Sequence, residues 1–349
     1  KLVIIDEIKE HTNADSLEIA VVGGWQCVVR KGEYTPGTIC LYHEIDSMLP
    51  LDDVRFSFLE GRNEYMVDGK RYARIKTMKL RKEISQGLLT LITDPSLLTL
   101  IGGIKWDSHD ELLYMVDTLN DLIDFDARYG IIKYVSKSEA AGLSGMAKGN
   151  FPSFIPKTDQ ERYQNIRRTI ESIPQDTTFE LTVKLDGSSF TAYAREDETG
   201  ERVTGVCSRN LELKLDQEGN AFVDMFKSLN LDEKFRSYGG NIAIQGEMVG
   251  PGIQGNFEGV DERSLYIYSV YHIDAQEYLK PAWARAVVAA LGLNYVPVID
   301  PEFKLPAYSD IQSIASGPSG LKGKYREGVV LKSNNCSLSF KAISNEYLI

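Results

Sequence analysis

One lysine stands at the end of an apolar segment with the pattern of a β-strand. Phe179 to Lys184 (FELTVK) is followed by the turn signal Asp186-Gly187 and then by a second strand-like segment. A lysine amine is nucleophilic only without its proton, so nearby positive charge or burial must lower its pKa. The KxDG pattern alone is weak evidence, because a chain of this length contains one by chance roughly one time in ten.

Further charged or aromatic residues recur on apolar, strand-like segments after this lysine. In chain order the segments are CSRN, IQGEMVG, YIYSVYHI, REGVVLK and LSFKAIS, and they carry Arg209, Glu247, Tyr268, Glu327, Lys332 and Lys341. Charges on apolar strands are unfavourable unless they meet a ligand or one another. The pattern therefore predicts that these side chains gather around one polar site.

Two glycine-rich segments match familiar phosphate-binding patterns only in part. Gly250 to Gly255 fits GxGxxG, but the residues after it have no helical period, which a dinucleotide-binding fold requires. The segment GPSGLKGKY has one residue too many for a P-loop, and Tyr325 stands where Ser or Thr is needed. Both segments are predicted to be loops.

The ordered motif set resembles the covalent nucleotidyltransferase superfamily of ATP-dependent ligases and mRNA capping enzymes, from about Phe154 to the end. The resemblance implies that Lys184 attacks the α-phosphate of ATP and holds AMP as a phosphoramide. It assigns the ribose to Glu247, and it assigns Mg²⁺ or Mn²⁺ to Glu327 with Asp186, through bound water. With Lys341, the residues Lys184, Asp186 and Glu327 form the expected catalytic set.

The same resemblance gives the nucleotide further contacts. Tyr268 would stack on the purine, although a plain core tyrosine remains an alternative. The other expected nucleotide-binding residues are Arg162, Glu180, Leu181, Gly187, Arg209, Lys332 and Lys341. Arg162 as a solvated helix residue is nearly as good an interpretation, because charged residues commonly lie on exposed faces.

Short strands with glycine turns in residues 1–100 predict a small barrel. Because eight residues follow Lys341, no barrel is expected after the last motif. This order resembles the Naegleria-type ATP-dependent RNA ligases, as do the segments GWQCVVRKGEYTPG, YHEIDSMLP and IKTMKLRKEISQG. Many relatives carry a second lysine where this chain has Ile343, and Lys332 is the expected substitute.

The implied fold class is α+β. An N-terminal OB-type β-barrel (1–105) is followed by a helical or loop linker (106–150). A mixed α/β nucleotidyltransferase domain of the ATP-grasp-like ligase type, with antiparallel sheets, occupies 151–349. The small polar segment SKSEAAGLSGMAKGNFPSF is expected to be a linker or mobile loop.

Charge and cysteine content narrow the choice of partners and compartment. The net charge of −11 is unfavourable for binding nucleic acid, so contacts must come from a local patch. The run 70–82 holds seven Lys and Arg residues and no acid. The expected RNA contacts within it are Arg74, Lys76, Lys79 and Arg81. The alternative is that the run is a solvated strand face. Four scattered cysteines and no membrane-spanning run fit an intracellular, cytoplasmic protein.

The predicted function is an ATP-dependent RNA ligase. It would seal RNA 3′-OH and 5′-phosphate ends, at nicks in a duplex, through lysyl-AMP and an RNA-adenylate. The alternatives are a DNA or mixed-substrate nick ligase and an inactive nucleic-acid-binding homologue. No protein partner is indicated by the sequence.

Overall fold

The strands and helices were located in a computed structural model, which describes residues 1–134 and 145–348. These two described ranges form two compact units, each with its own internal contacts.

The N-terminal unit is built mainly of short antiparallel strands. They are β1 (Leu2–Ile4), β2 (Glu7–Glu10), β3 (Leu17–Val22), β4 (Trp25–Arg30), β5 (Ile39–His43), β6 (Ser47–Pro50), β7 (Glu64–Val67), β8 (Lys70–Arg74), β9 (Thr77–Leu80), β10 (Glu83–Gln86), β11 (Leu88–Thr90) and β12 (Ile132–Lys133). A 3₁₀ helix covers Val54–Leu59, and the α-helices are α1 (Pro95–Gly102), α2 (His109–Leu122) and α3 (Phe125–Tyr129). The sheet orders are β1-β5-β11, β2-β3-β4, β12-β6-β8-β7 and β10-β9.

Alternating burial explains how these strands enclose a core. In β4 every second residue from Trp25 onward is buried, as expected for a strand with one face inward. Helix α2 starts at the cap Ser108 and packs on the same unit, because the Asn120 side chain bonds both backbone groups of Leu2. The helical pattern expected within 106–150 is thus part of the N-terminal unit, and the expected linker segment falls partly on residues outside the described ranges.

The basic run 70–82 spans two strands and a turn. Strand β8 ends at Arg74 and joins one sheet, whereas β9 begins at Thr77 and pairs with β10 in another. Arg81 and Lys82 form the two-residue connection of the β9–β10 hairpin, and both have positive φ (47° and 80°). Such a turn normally favours Gly or Asn, so two basic side chains are held at its tip at some conformational cost.

The C-terminal unit contains the longer strands. They are β13 (Ala147–Asn150), β14 (Glu161–Arg162), β15 (Thr178–Lys184), β16 (Ser188–Glu196), β17 (Arg202–Cys207), β18 (Leu211–Leu213), β19 (Ile242–Val249), β20 (Ser264–His272), β21 (Glu277–Tyr278), β22 (Asn294–Tyr295), β23 (Val298–Lys304), β24 (Gly328–Ser333) and β25 (Ser339–Ile343). The helices are α4 (Arg167–Glu171), α5 (Ala221–Ser228), α6 (Leu231–Tyr238), α7 (Pro281–Ala290) and α8 (Ile311–Ala315), with 3₁₀ turns at Tyr163–Asn165 and Tyr308–Asp310.

Two sheets organise this unit. One has the order β14-β25-β24-β15-β23, and the other has the order β13-β18-β17-β16-β19-β20-β21, with β22 beside β20. Most neighbours are antiparallel; β14–β25 and β20–β22 are parallel. Strand β15 lies in the first sheet and β16 in the second, so the KxDG turn connects the two sheets. The expected α+β class, with a barrel first and antiparallel sheets after it, is confirmed.

Candidate active site

Lys184 is the last residue of β15, and its neighbours are set by strand pairing. Lys184 pairs with Gly328 of β24, which brings the preceding residue, Glu327, next to the lysine. The Lys184 Nζ lies 2.6 Å from Glu327 Oε2. On the other sheet Ser189 pairs with Glu247, so a second carboxylate enters from β19. The expected gathering of Lys184, Glu247 and Glu327 is what the two sheets produce.

Two glycines make this close assembly possible. A Cβ on Gly187 would collide with the Met248 carbonyl oxygen, and one on Gly328 would collide with the Ala342 carbonyl oxygen. Only glycine lets the backbones approach so closely at these positions. The glycine of KxDG and the glycine after Glu327 therefore draw neighbouring strands together around the lysine.

The site opens into a cavity of about 210 Å³. Predicted site residues that line it are Lys184, Gly187, Arg209, Glu247, Tyr268, Lys332 and Lys341. Asp186 and Glu327 belong to the same cluster through Lys184, because both carboxylates act on the pKa of its ammonium. The wall thus combines cations from several strands with the aromatic residues Phe151 and Tyr268, a composition suited to a nucleoside triphosphate.

Lys341 lies on β25, between β14 and β24, at a part of the sheet where basic side chains gather. It pairs with Val330 of β24 on one side and with Arg162 of β14 on the other. Burial first, then the positive charges of Lys184 and Arg162, lower the pKa of Lys341 to about 8. Three cations in this arrangement repel one another, and an anion placed among them would relieve the repulsion.

Lys184 itself is held in its charged form by the surrounding carboxylates. Burial alone lowers the pKa of Lys184, but attraction to Glu327 and Glu247 outweighs burial, and the pKa is raised. Among the side chains around Lys184, the carboxylates thus outweigh the cations Lys341 and Arg209, and the expected lowering of this pKa would require the charge of a bound divalent cation as well. Burial is the main cause that raises the pKa of Glu327 and raises that of Glu247 to about 8. Neighbouring carboxylates raise both pKa values further.

The carboxylates beside Lys184 form a concentration of negative charge that a divalent cation could offset. Among residues 1–134 and 145–348, no group of three or more His, Cys, Asp or Glu side chains is placed to ligate a metal directly. Asp186 and Glu327 nevertheless have raised pKa values, caused first by burial and increased in Glu327 by Asp186. A cation held through water would relieve this excess of negative charge.

Tyr268 presents its ring to the cavity and is fixed from both ends. Its hydroxyl lies 2.8 Å from Thr158 Oγ1, and its backbone carbonyl accepts a hydrogen bond from Lys332 Nζ. Lys332 also donates to Ser269 Oγ at 2.7 Å, and burial lowers the pKa of Lys332 to about 7. The ring therefore has little freedom to rotate, as a stacking platform requires.

Two of the expected nucleotide contacts, Glu180 and Leu181, do not line the cavity. Leu181 is 3% exposed and lies in the core between the sheet and α8. Glu180 is fully buried, pairs with Arg285 of α7 and accepts a hydrogen bond from the Tyr295 hydroxyl at 2.7 Å. On this strand the cavity is lined by Thr182, Val183 and Lys184.

Sequence reasoning missed lining residues that lie on loops. The segment 157–160 (KTDQ) and Gln254 line the cavity, and Asp159 pairs with Arg209 at 2.8 Å. The polar KTDQ segment just before Arg162 was an available signal. The sequence around Gln254 gave no such signal, because Gln254 reaches the cavity only through the way in which the loop 250–255 folds back.

The four expected RNA contacts separate into two places on the N-terminal unit. Arg74 and Lys76 line a groove of about 990 Å³, together with the exposed Phe58. Arg74 is 2.6 Å from Asp46, and its guanidinium carbon lies 3.6 Å from the centroid of the Tyr134 ring. Lys79 and Arg81 are exposed on the β9–β10 hairpin, outside that groove.

This fold and site define a protein with an OB domain followed by a nucleotidyltransferase domain. Residues 2–92 match the family model described as an OB-fold domain, and residues 177–343 match the one described as RNA ligase. Among curated protein sequences no match was found.

Solved structures give the more specific answer. Naegleria gruberi RNA ligase with PPi is 35% identical, with a TM-score of 0.81, and the match covers 99% of this chain and 96% of that one. A mutant of the same ligase with ATP and Mn is 34% identical, with a TM-score of 0.81 and coverage of 99% and 97%. A mutant with AMP and Mn is 34% identical, with a TM-score of 0.82, and the match covers 99% of this chain and 97% of that one. The chain belongs to the family of Naegleria-type ATP-dependent RNA ligases.

None of the helices in the described ranges combines the length and hydrophobicity needed to cross a bilayer.

Proposed function

We propose that the chain is an ATP-dependent RNA ligase that joins a 3′-OH end to a 5′-phosphate end, at nicks in an RNA duplex. The observation that carries the proposal is Lys184, presented at the end of β15 to a cavity that Glu247, Tyr268 and Lys341 also line. Structures of the Naegleria gruberi ligase contain ATP, AMP, Mn and PPi, which supports ATP with Mg²⁺ or Mn²⁺ as the cofactors here.

The reaction would have three steps. First, Lys184 Nζ attacks the α-phosphorus of ATP; a P–N bond forms and the bond to pyrophosphate breaks. Second, an oxygen of the RNA 5′-phosphate attacks the AMP phosphorus, and the P–N bond breaks to give an RNA-adenylate. Third, the 3′-hydroxyl attacks the activated 5′-phosphorus and AMP leaves. In the first step the lysine must release a proton to solvent, which its ion pair with Glu327 Oε2, at 2.6 Å, opposes until that attraction is weakened.

Each wall of the cavity would have a separate task. The ammonium of Lys341, beside Arg162, would stabilise the phosphates, and Tyr268 would stack on the purine. Glu247 would accept hydrogen bonds from the ribose hydroxyls. Glu327 and Asp186 would hold the divalent cation through water, and this cation would neutralise phosphate charge when bound.

The N-terminal unit would bind the RNA. Its OB-type fold, and the placement of Arg74 and Lys76 in one groove and of Lys79 and Arg81 on a hairpin, support this assignment. The overall charge of −11 makes these local cations the natural phosphate contacts. A cytoplasmic location remains a prediction, supported by four cysteines that are all free.

Incubation with labelled ATP and magnesium, followed by a denaturing gel, tests the first step. A labelled protein band is expected; its absence across magnesium and manganese concentrations would favour the inactive nucleic-acid-binding homologue. Sealing is then compared on nicked duplexes with RNA or DNA on each side of the nick. Equal rates on DNA nicks would favour the DNA or mixed-substrate ligase.

A further inference from the structure

The two glycine-rich loops that match phosphate-binding patterns only in part, one after β19 and one after α8, meet next to the KxDG turn. Glu258 comes from the loop after β19, and Ser319 comes from the loop after α8. The Asp186 backbone N–H donates to Glu258 Oε1 at 3.0 Å, and Ser319 Oγ donates to Glu258 Oε2 at 2.8 Å. One carboxylate thus connects both loops to the residue two positions after Lys184.

Glu258 is unusual for a buried acid. It is 0% exposed, and its partner Ser319 is 1% exposed. In the described part of the chain, Glu258 has no ion pair, and the charges that act on it, those of Asp186 and Glu327, are negative. Burying a carboxylate without a cation is costly, so its hydrogen bonds must serve a purpose that an apolar residue would not.

The loops around Glu258 are built to hold it still. Asn256 Nδ2 donates to the Val260 carbonyl at 3.0 Å, closing the first loop around the glutamate. A Cβ on Gly323 of the second loop would come within 2.8 Å of the Phe257 carbonyl oxygen. The two loops therefore pack so closely at Gly323 that only glycine fits there, and a shift of one loop would displace the other.

Asp186 is also fixed on its carboxylate side. The side chain of Tyr347 forms a hydrogen bond with Asp186, and the Tyr347 ring contacts Phe257, next to Glu258, with centroids 5.1 Å apart. The backbone and the side chain of Asp186 are thus held by neighbouring groups. Lys184 precedes this fixed residue by two positions, at the end of a rigid strand.

We propose that Glu258 is a positioning residue for Lys184. It anchors the KxDG turn by hydrogen-bond geometry, so that the ammonium enters the cavity in the direction needed for in-line attack. Glu258 does not line the cavity, and it touches neither the nucleotide nor the cation in this proposal. The inference rests on the proposed adenylylation of Lys184.

A pair of substitutions separates geometry from charge. Glu258→Gln keeps the shape; its amide oxygen accepts from Asp186 N–H and its amide nitrogen donates to Ser319 Oγ. Glu258→Ala removes both bonds. We expect Glu258→Gln to adenylylate within about threefold of the unaltered protein. Glu258→Ala should lose on the order of 10²-fold in kcat, with KM for ATP little changed, because small misplacements of a nucleophile have effects of this size.

Two further variants keep the test decisive if Glu258→Ala folds poorly. Ser319→Ala removes one hydrogen bond only and should give an intermediate loss of kcat with a near-normal unfolding midpoint. Glu262→Ala, an exposed acid near the end of the first loop, is the matched control and should behave as the unaltered protein. Magnesium dependence should be the same in Glu258→Gln and the unaltered protein.

The outcomes are distinguishable from failure of the proposed function. If the unaltered protein forms no covalent AMP, the proposed function fails. If it labels normally and Glu258→Ala labels equally fast, the positioning role alone is wrong. If Glu258→Gln is as impaired as Glu258→Ala, or needs more magnesium, the carboxylate acts by its charge and the inference is overturned.

Discussion

The Lys184 ammonium and the Glu327 carboxylate lie 2.6 Å apart, with 26% of the lysine side chain and 11% of the glutamate side chain exposed. Together with Glu247, this acid raises the pKa of Lys184 even though burial lowers it. The raised pKa favours the protonated form of Lys184, which would have to lose its proton before it could act as the proposed nucleophile. A cation beside Glu327 would weaken the attraction and release the proton more easily.

Lys184→Ala should abolish covalent labelling by ATP, because no other described lysine has the same strand-end position beside Glu327. Sealing of a pre-adenylylated RNA should remain at least partly intact, since that step does not need the P–N bond. Lys227→Ala, an exposed lysine on α5, serves as the control. Retained label in Lys184→Ala would show that another residue is the nucleophile.

Lys341→Ala and Glu327→Ala should each slow adenylylation, on the order of 10²-fold, because fixed charge near the phosphates contributes to the transition state on this scale. The rate is measured across a magnesium titration. Higher magnesium should partly rescue Glu327→Ala, which weakens cation binding, but not Lys341→Ala. Normal adenylylation in either variant would rule out its role.

The pKa of Lys341, lowered to about 8 first by burial, gives a pH test. Lys341 is charged below that pH and loses its charge above it, so its attraction for the phosphates should fall as the pH rises through 8. Arginine stays charged throughout. The ratio of kcat/KM for Lys341→Arg to that of the unaltered protein should therefore increase above pH 8. A ratio independent of pH would contradict the assignment; Lys227→Arg is the control.

A fragment from about residue 145 to 349 should still adenylylate itself, because the residues of the candidate site lie within the C-terminal unit. It should seal nicks poorly if the N-terminal unit holds the RNA. Labelling and nick sealing are measured on the same preparation. Sealing at the full rate would mean that the barrel has another purpose.

Lys79→Ala with Arg81→Ala should weaken nick binding and flatten its salt dependence. Each lost phosphate contact reduces the slope of log K against log salt by roughly 0.7 to 0.9. Because Arg74 is already occupied by Asp46 and Tyr134, Arg74→Ala with Lys76→Ala should have a smaller effect on the slope. ATP-dependent labelling of Lys184 should not change in either double variant. An unchanged slope in both would identify the run as a solvated face.

Arg236→Ala is a suitable control for the salt experiment. Arg236 is exposed on α6 of the C-terminal unit and is paired with Asp232. It removes one positive charge outside the candidate RNA surface, so the slope should be unaffected.

The parts of the site that lie on strands were predictable from sequence. Lys184, Glu247 and Lys341 each stand on an apolar strand; pairing through β24 brings Lys184 and Lys341 into one sheet, and the KxDG turn brings in Glu247 from the other sheet. A charged residue in such a setting is visible in the pattern, because it interrupts an otherwise buried segment. The side chain of Glu180 shows the limit: alternation places it on the same face of β15 as Lys184, but its partners Arg285 and Tyr295 come from distant segments that the strand pattern does not indicate.

The loop contributions were not predictable. Glu258 and Ser319 are 61 positions apart, and their contact depends on two irregular loops with several positive φ angles. The basic run 70–82 was predictable only in part. Ile75 is buried and lies where the chain passes from one sheet to another, so the basic residues of the run do not alternate along a single strand. Long-range tertiary contacts decide such features, and local patterns carry little information about them.

The order of strands around Lys184 also constrains how the protein can be made. The hydrogen bond to Glu327 closes a separation of 143 positions, and β15 lies between β24 and β23, both of which come later in the chain. The described N-terminal strands, in contrast, pair within residues 1–134. Long closures form slowly because they lose more chain entropy. On the ribosome the barrel can therefore finish folding early, while the lysine strand waits for neighbours still to be synthesised, and an incomplete chain has no assembled lysine site.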